Sequence, residues 1–288
     1  MFDRSPVRGE LVHLDAAWRA VLERHDYPPV LRSVLGELMA AAVLLAATLK
    51  LKGSLILQIQ GKGPVTLLVV ECDGDLNVRA TAKWEGDLAP SSSFAELVGA
   101  GRFAITLDPR DGNQAYQGVV ALDGANVAEV LQNYMLRSEQ VETALWLAAD
   151  DRCAAGLLLQ RLPLEGGRGA TAEHGEETWQ RAAVLAATLR PEELLTLSAE
   201  TLLHRLYHED DVRLFEPQAV VFRCSCSREK VTGMLKLLGA DEVHAALQEL
   251  GELEVRCEFC NRAYRFDAVD VERIFAADVA VDGGKSLH

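Results

Sequence analysis

The sequence has no surplus of basic residues: 29 Lys and Arg stand against 43 Asp and Glu, for a formal charge of −14. A surface built to hold nucleic-acid phosphates needs a positive field, so nucleic acid is not an expected partner. Long hydrophobic runs are missing as well. The most apolar window, residues 39–49, lies between Glu37 and Lys50 and is short of the ~20 residues that a bilayer crossing takes. It reads as a helix buried in a soluble protein, and no membrane partner is expected. The opening Met1-Phe2-Asp3-Arg4-Ser5-Pro6 has no apolar stretch of the secretory kind, which points to the reducing cytoplasm. No glycine loop of the nucleotide-binding type stands between a strand and a helix, and Gly61-Lys62-Gly63 reads as a hairpin turn. There is no Ser/His/Asp set and no metal-type histidine pair. The histidines, His13, His25, His174, His204, His208, His244 and His288, are dispersed. No catalytic residues and no enzyme activity are therefore expected.

What is present is an ordinary globular balance, 49% hydrophobic and 25% charged over 288 residues. At about 150 residues per domain this suggests two domains. Residues 7–13 read as a strand, and Asp15 offers an N-cap for a helix toward His25, ended by Tyr27-Pro28-Pro29. Over 30–49, Val34, Leu35, Leu38, Met39, Ala42, Leu45, Ala46 and Leu49 recur at helical spacing. Strands are expected over 55–60, 65–72 and 76–84, joined by the short turns 61–64 and 73–75. Residues 102–107 and 115–122 form another pair around Asp111-Gly112-Asn113. A helix over 127–137 and strands near 143–149 and 156–162 follow. Clustered hairpins with inserted helices predict an α+β fold with a mixed, largely antiparallel sheet.

Glu165-Gly166-Gly167-Arg168-Gly169 then reads as a flexible connector. Residues 171–216 hold four arginines, no lysine and ten carboxylates. They still carry apolar stripes: Trp179, Ala182, Leu185, Ala186 and Leu189 on one face, Leu202, Leu203, Leu206 and Tyr207 on another. Pro191 and Ser198 look like helix starts. Such short helices are marginal alone in water and need a partner surface, the obvious one being the domain before them. The expected division is 1–170 for the N-terminal core, 171–216 for a helical linker and 217–288 for a small C-terminal domain. In the last part, helices are expected over 228–238, 241–250 and 269–276, with a strand, a knuckle and a strand over 254–266 and a frayed tail over 279–288.

Four of the six cysteines fall there: Cys224-Ser225-Cys226 and, thirty residues on, Cys257-Glu258-Phe259-Cys260. Two close thiol pairs in a cytosolic chain match the all-sulfur tetrahedral site that Zn²⁺ favours. Asn261 tolerates the left-handed turn that a knuckle needs. Cys72 and Cys153 read as buried core thiols. Three plainer readings stay open: a ribbon that only staples the domain, a nucleic-acid ribbon, and a thioredoxin-like pair at Cys257 and Cys260. The second is disfavoured by 8 basic against 12 acidic residues over 224–288, and the third by the returning strand at 264–266. Because each cysteine has another two or three positions away, oxidation to disulfides, with loss of the metal and unfolding of the tail, is chemically open.

These motifs carry a family resemblance. The paired cysteines, Cys224-Ser225-Cys226-Ser227-Arg228-Glu229 and Gly251-Glu252-Leu253-Glu254-Val255 resemble the thirty-three-kilodalton heat-shock protein family, the bacterial redox-regulated holdase chaperones. So do Val7-Arg8-Gly9-Glu10-Leu11-Val12, Tyr116-Gln117-Gly118-Val119-Val120, Arg137-Ser138-Glu139-Gln140 and Arg205-Leu206-Tyr207-His208-Glu209, in family order. The resemblance implies one Zn²⁺ per reduced chain on Cys224, Cys226, Cys257 and Cys260. It implies an inactive zinc-bound form and, under peroxide or hypochlorite, the disulfides Cys224–Cys226 and Cys257–Cys260 with zinc release and linker unfolding. The active form would be a homodimer that holds unfolding clients without ATP and passes them to ATP-dependent foldases. A constitutive zinc-stapled interaction module is the alternative expectation.

Overall fold

The computed structural model describes residues 1–2, 5–49, 52–109, 114–163 and 172–282. The expected turn at Asp111-Gly112-Asn113, the connector at 165–169 and the last six residues lie outside them. The chain divides into two compact units, Met1–Arg223 and Cys224–His288.

The first unit begins with β1 (Val7–Leu14), α1 (Ala16–Leu22) and α2 (Pro29–Leu49), then β2 (Ser54–Gln60), β3 (Val65–Asp73) and β4 (Asn77–Trp84). It continues through α3 (Phe94–Val98), β5 (Arg102–Asp108), β6 (Tyr116–Ala121), α4 (Val127–Arg137), β7 (Thr143–Ala149) and β8 (Ala154–Arg161). It closes with α5 (Ala172–Ala186), α6 (Pro191–Thr196), α7 (Ala199–Tyr207) and the two-residue β9 (Val221–Phe222). Among the described residues these strands form a three-stranded sheet, β1-β8-β7, and a six-stranded sheet, β6-β5-β2-β3-β4-β9. Every pairing is antiparallel except β4 with β9. The α+β expectation holds.

Helix α2 is the centre of this unit. Leu31, Leu35, Leu38, Met39 and Leu44 are all buried in a core shared with both sheets. A helix that is apolar all round must be covered all round. At 21 residues it is long and apolar enough to cross a bilayer by length and composition, so the window read from the sequence was too short. Glu37 does not bound the apolar helix but sits inside it. What occupies the helix is protein: most of its apolar window is buried in the two sheets. Gly36 permits the close approach to the three-stranded sheet. A Cβ there would lie 2.4 Å from Ala149 Cβ and 3.1 Å from the Trp18 ring. Gly36→Ala is accordingly expected to destabilise the first unit by about 1–3 kcal/mol, read as a lower urea midpoint.

Strand β8 is buried from Ala154 to Gln160, so both its faces are covered. One face belongs to the α2 core. On the other, Ala155, Leu157 and Leu159 meet Ala182, Ala186, Leu194, Leu202, Leu206 and Tyr207 in a second core. Helices α5–α7 thus lie on the sheet, with the apolar stripes of the acidic segment turned inward. Pro191 occupies the first turn of α6 and the Ser198 side chain caps α7, as expected. Ser93 and Glu96 form a capping box on α3, a helix not foreseen although its S-x-x-E signature is visible.

Turn chemistry accounts for the hairpins. The Lys62 and Gly63 amides both donate to the Val98 carbonyl, at 2.8 and 3.0 Å, which leaves no phosphate cradle. The strand expected from residue 76 starts at Asn77, because Leu76 is left-handed at φ 57° and cannot continue the extension. Unforeseen β9 adds the chain after α7 to the β4 edge, with Asn77 opposite Val221.

The second unit comprises α8 (Arg228–Leu238), α9 (Ala240–Leu250), β10 (Leu253–Arg256), β11 (Ala263–Phe266) and α10 (Ala268–Asp282). Its core is small: Val231, Leu235, Val243, Leu253, Tyr264, Phe266, Val271 and Ile274. The tail expected to fray from Val279 is helical through Asp282. Ala276, Ala277 and Ala280 have high helix propensity, and elongation of a started helix is cooperative.

Candidate metal centre

The four clustered cysteines come from two arms of the second unit. Cys224 and Cys226 stand in extended chain just before α8, whose first turn is capped by the Ser227 hydroxyl on the Lys230 amide. Arg228 ties this arm down. Its guanidinium donates to the Arg265 carbonyl at 2.8 Å, pairs with Asp270 at 2.7 Å and lies 4.2 Å over the Phe266 ring. Cys257 and Cys260 sit in the knuckle between β10 and β11, where Leu253 pairs with Phe266 and Arg256 with Ala263. The knuckle closes through the Asn261 amide donating to the Cys257 carbonyl at 2.8 Å and the Cys257 amide to the Arg262 carbonyl at 3.0 Å. Asn261 takes the left-handed conformation expected of it, φ 57°.

These arms bring all four sulfurs within 4.8 Å of one another, close enough to share one metal ion. The shortest approaches run across the arms: Cys224 to Cys257 at 3.6 Å and Cys226 to Cys260 at 3.3 Å. All four residues are half-buried and none is in a disulfide. Among the described residues no histidine or carboxylate joins the group.

Without a cation, the thiols cannot all ionise together. Burial by itself raises Cys226, but hydrogen bonds from the Tyr264 hydroxyl and from Cys260, Cys224 and Cys257 outweigh that and bring it down to about 7. Burial, together with bonding to a charged Cys226, pushes Cys260 up to about 12. Cys257 is also raised, by burial first. Cys226 is thus eased toward ionisation while Cys257 and Cys260 are held back from it. A divalent cation lifts that restraint and holds several thiolates at neutral pH.

Sequence reasoning missed Tyr264. Its hydroxyl donates to Cys226 Sγ at 3.1 Å while its ring is part of the unit's core; a tyrosine four residues past a C-x-x-C in a returning strand was the available signal. Tyr264→Phe is expected to weaken metal binding roughly 10-fold in competition with a chromogenic chelator. Equal affinity would show that the hydroxyl contributes nothing to the ligand.

Cys72 and Cys153 are elsewhere and buried, as expected of core thiols. Burial, helped by Asp73 and Glu71, pushes Cys72 up to about 12. Burial and Asp150 push Cys153 up to about 11. Both are thus disfavoured as thiolates, and neither is in the group of sulfurs close enough to share a metal.

The whole chain has relatives. Residues 1–267 match the family model described as Hsp33 protein. A 33 kDa chaperonin of Methylobacillus flagellatus is 51% identical over 100% of this chain and 97% of its own. A 33 kDa chaperonin of Chromobacterium violaceum is 53% identical over 100% of this chain and 96% of its own. The crystal structure of a 33 kDa chaperonin from Thermotoga maritima, 24% identical, has the same fold with a TM-score of 0.84, covering 97% of both chains. With a match this long running through both units and all four clustered cysteines, the chain belongs to the Hsp33 protein family.

Proposed function

We propose that this protein is an ATP-independent, redox-gated holdase, inactive while its four clustered cysteines hold one Zn²⁺ and able to bind unfolding proteins once they are oxidised. The observation that carries the reading is the four-sulfur cluster, closed by two arms over a small core. Four thiolates around Zn²⁺ with Zn–S near 2.3 Å stand about 3.8 Å apart, and the cross-arm sulfur contacts of 3.3 and 3.6 Å are close to that. Zinc would supply a folding staple and no redox chemistry of its own. The sulfurs supply the switch. A thiolate attacks hydrogen peroxide, breaking its O–O bond to give a sulfenic acid and hydroxide, and a neighbouring thiol condenses with the sulfenic acid, forming a disulfide and water. Each disulfide removes two ligands. The pairing proposed, Cys224–Cys226 and Cys257–Cys260, rests on the family resemblance and on proximity in the chain.

The division into a chaperone core over 1–170, a linker over 171–216 and a switch over 217–288 belongs to the same proposal. Releasing the linker would uncover Ala155, Leu157 and Leu159 on β8 together with the stripe of α5–α7 that covers them. Exposed apolar area captures unfolded chain, and a charge of −14 keeps the sticky form in solution. The relatives named chaperonin support the class of function. The active homodimer, the hand-over to ATP-dependent foldases, the cytoplasmic setting and the lack of catalytic, nucleic-acid and membrane roles complete the reading.

One experiment tests it: peroxide or hypochlorite treatment with zinc release followed by a chromogenic chelator, circular dichroism alongside, and light scattering of a heat-aggregating client. Oxidation is expected to release one zinc per chain, lower helicity and suppress aggregation. Retained zinc with unchanged client binding would favour the constitutive zinc-stapled module, and peptide mapping that finds cross-arm disulfides would overturn the pairing.

A further inference from the structure

A cavity of about 220 Å³ lies inside the first unit where α6 meets the core. Its walls come from α2, the start of α4, β7 and the chain entering α6. Leu145, Leu147, Leu189 and Leu194 supply its apolar wall, and Asn126, Glu37 and Arg190 a polar wall of comparable extent. The charged lining residues are Glu37, from the middle of α2, and Arg190, at the start of α6. Arg190 is largely exposed and engaged: its Nε and amide both bond Glu193, at 3.3 and 3.0 Å, and Glu193 also pairs with Arg205. Glu37 is different. It keeps some access through the cavity mouth, yet protein surrounds it, and no group among the described residues donates to its carboxylate or pairs with it.

A carboxylate inside an apolar helix, left without a partner, is costly. The cost is relieved when the carboxyl takes up a proton, or, with the charge kept, when a cationic group reaches it from the cavity. We propose that this cavity is a binding site for a small organic cation, an amine or amidinium with a compact apolar body, whose charged end pairs with Glu37 while its body contacts Leu145, Leu147 and Leu194. Because α6 supplies one wall, the ligand bridges α6 to the core. Any cation bound there stabilises the docked arrangement by mass action, in proportion to its concentration over its dissociation constant. The site thus gives a small molecule a hold on the docking of the linker. That consequence is independent of cysteine chemistry and stands whether or not the redox reading does.

Burial alone lifts Glu37 to about 7, which adds a pH signature. The folded value is raised, so the neutral carboxyl is favoured below it and the charge that attracts a cation is present only above it. Between pH 8 and pH 5.5 the ionised fraction falls roughly 30-fold, and cation affinity should fall with it. Arg190, the other charged group facing the cavity, keeps its charge throughout this range.

The test uses the reduced, zinc-loaded full chain and benzamidinium as the probe, with neutral benzamide as its isostere. Calorimetric titration at pH 8 and moderate salt is expected to show benzamidinium binding at least ~10-fold tighter than benzamide, with most of that preference lost at pH 5.5 and in Glu37→Gln. Hydrogen exchange in Pro191–Thr196 should slow when benzamidinium binds. Ala128→Leu, which fills space at the cavity wall and leaves the carboxylate in place, should block the probe even if Glu37→Gln folds poorly. Equal binding of both probes, binding unaffected by either substitution, no binding at ten-millimolar probe, or unchanged exchange in α6 would each overturn the assignment.

Discussion

Cys257→Ser is expected to lose the metal and to unfold the second unit while the first remains folded. A structural zinc on sulfur contributes an apparent ~10–16 kcal/mol, against net stabilities of ~5–15 kcal/mol for whole domains. The eight-residue core of the second unit cannot take over that role. Removing one of four thiolates also lowers the charge matched to the ion, and the backbone bonds of residue 257, which the serine keeps, then close the knuckle around no metal. Circular dichroism should show the loss of α8–α10, metal analysis the loss of zinc, and light scattering a raised basal capture of client without oxidant. Full zinc occupancy at unchanged stability would refute the ligand assignment.

The second large effect is expected from Leu202→Asp. Leu202 is 0% exposed in the second core, between α7 and the three-stranded sheet. The substitution removes a buried leucine and places an unpaired carboxylate there, a cost of about 3–5 kcal/mol. The three helices concerned have 15, 6 and 9 residues and would hardly persist undocked. The expected result is release of α5–α7, seen as a red shift of the Trp179 emission and as rapid proteolysis within 172–207. The metal proposed for the cysteine cluster should stay bound, since the cluster is untouched. Client capture without oxidation would then separate the linker from the metal as the immediate cause of activity. A variant that stays docked and protease-resistant would mean that the linker is anchored far more firmly than its short helices indicate. Leu202→Met serves as the control and should change little.

Most elements were legible because their signals are local. Asp15 and Ser198, read as helix starts, each stand one residue ahead of a helix and bond its first turn; Asn126 and Ser227 do the same without having been singled out. Alternation and glycine turns placed β2 to β4 within a residue or two. The spacing of Cys224, Cys226, Cys257 and Cys260 announced a common site. Three features were not legible for one shared reason. β9 is only two residues long and exists because the β4 edge offers partners. Tyr264 is one aromatic among several until its hydroxyl lands on Cys226. Glu37 looked like the polar end of an apolar run, and only the packing of α4, β7 and α6 makes it a half-buried acid on a cavity wall.

The sequence by itself determined the α+β class, the helix caps, the acidic amphipathic segment and the four ligand-type cysteines, because propensity, capping and ligand spacing act over a few residues. The tertiary structure decided which sheet edge β9 completes, which face α5–α7 cover, which sulfurs approach most closely and where Glu37 comes to rest. Those outcomes depend on surfaces brought together from distant stretches of chain, and no local pattern encodes the distance between them.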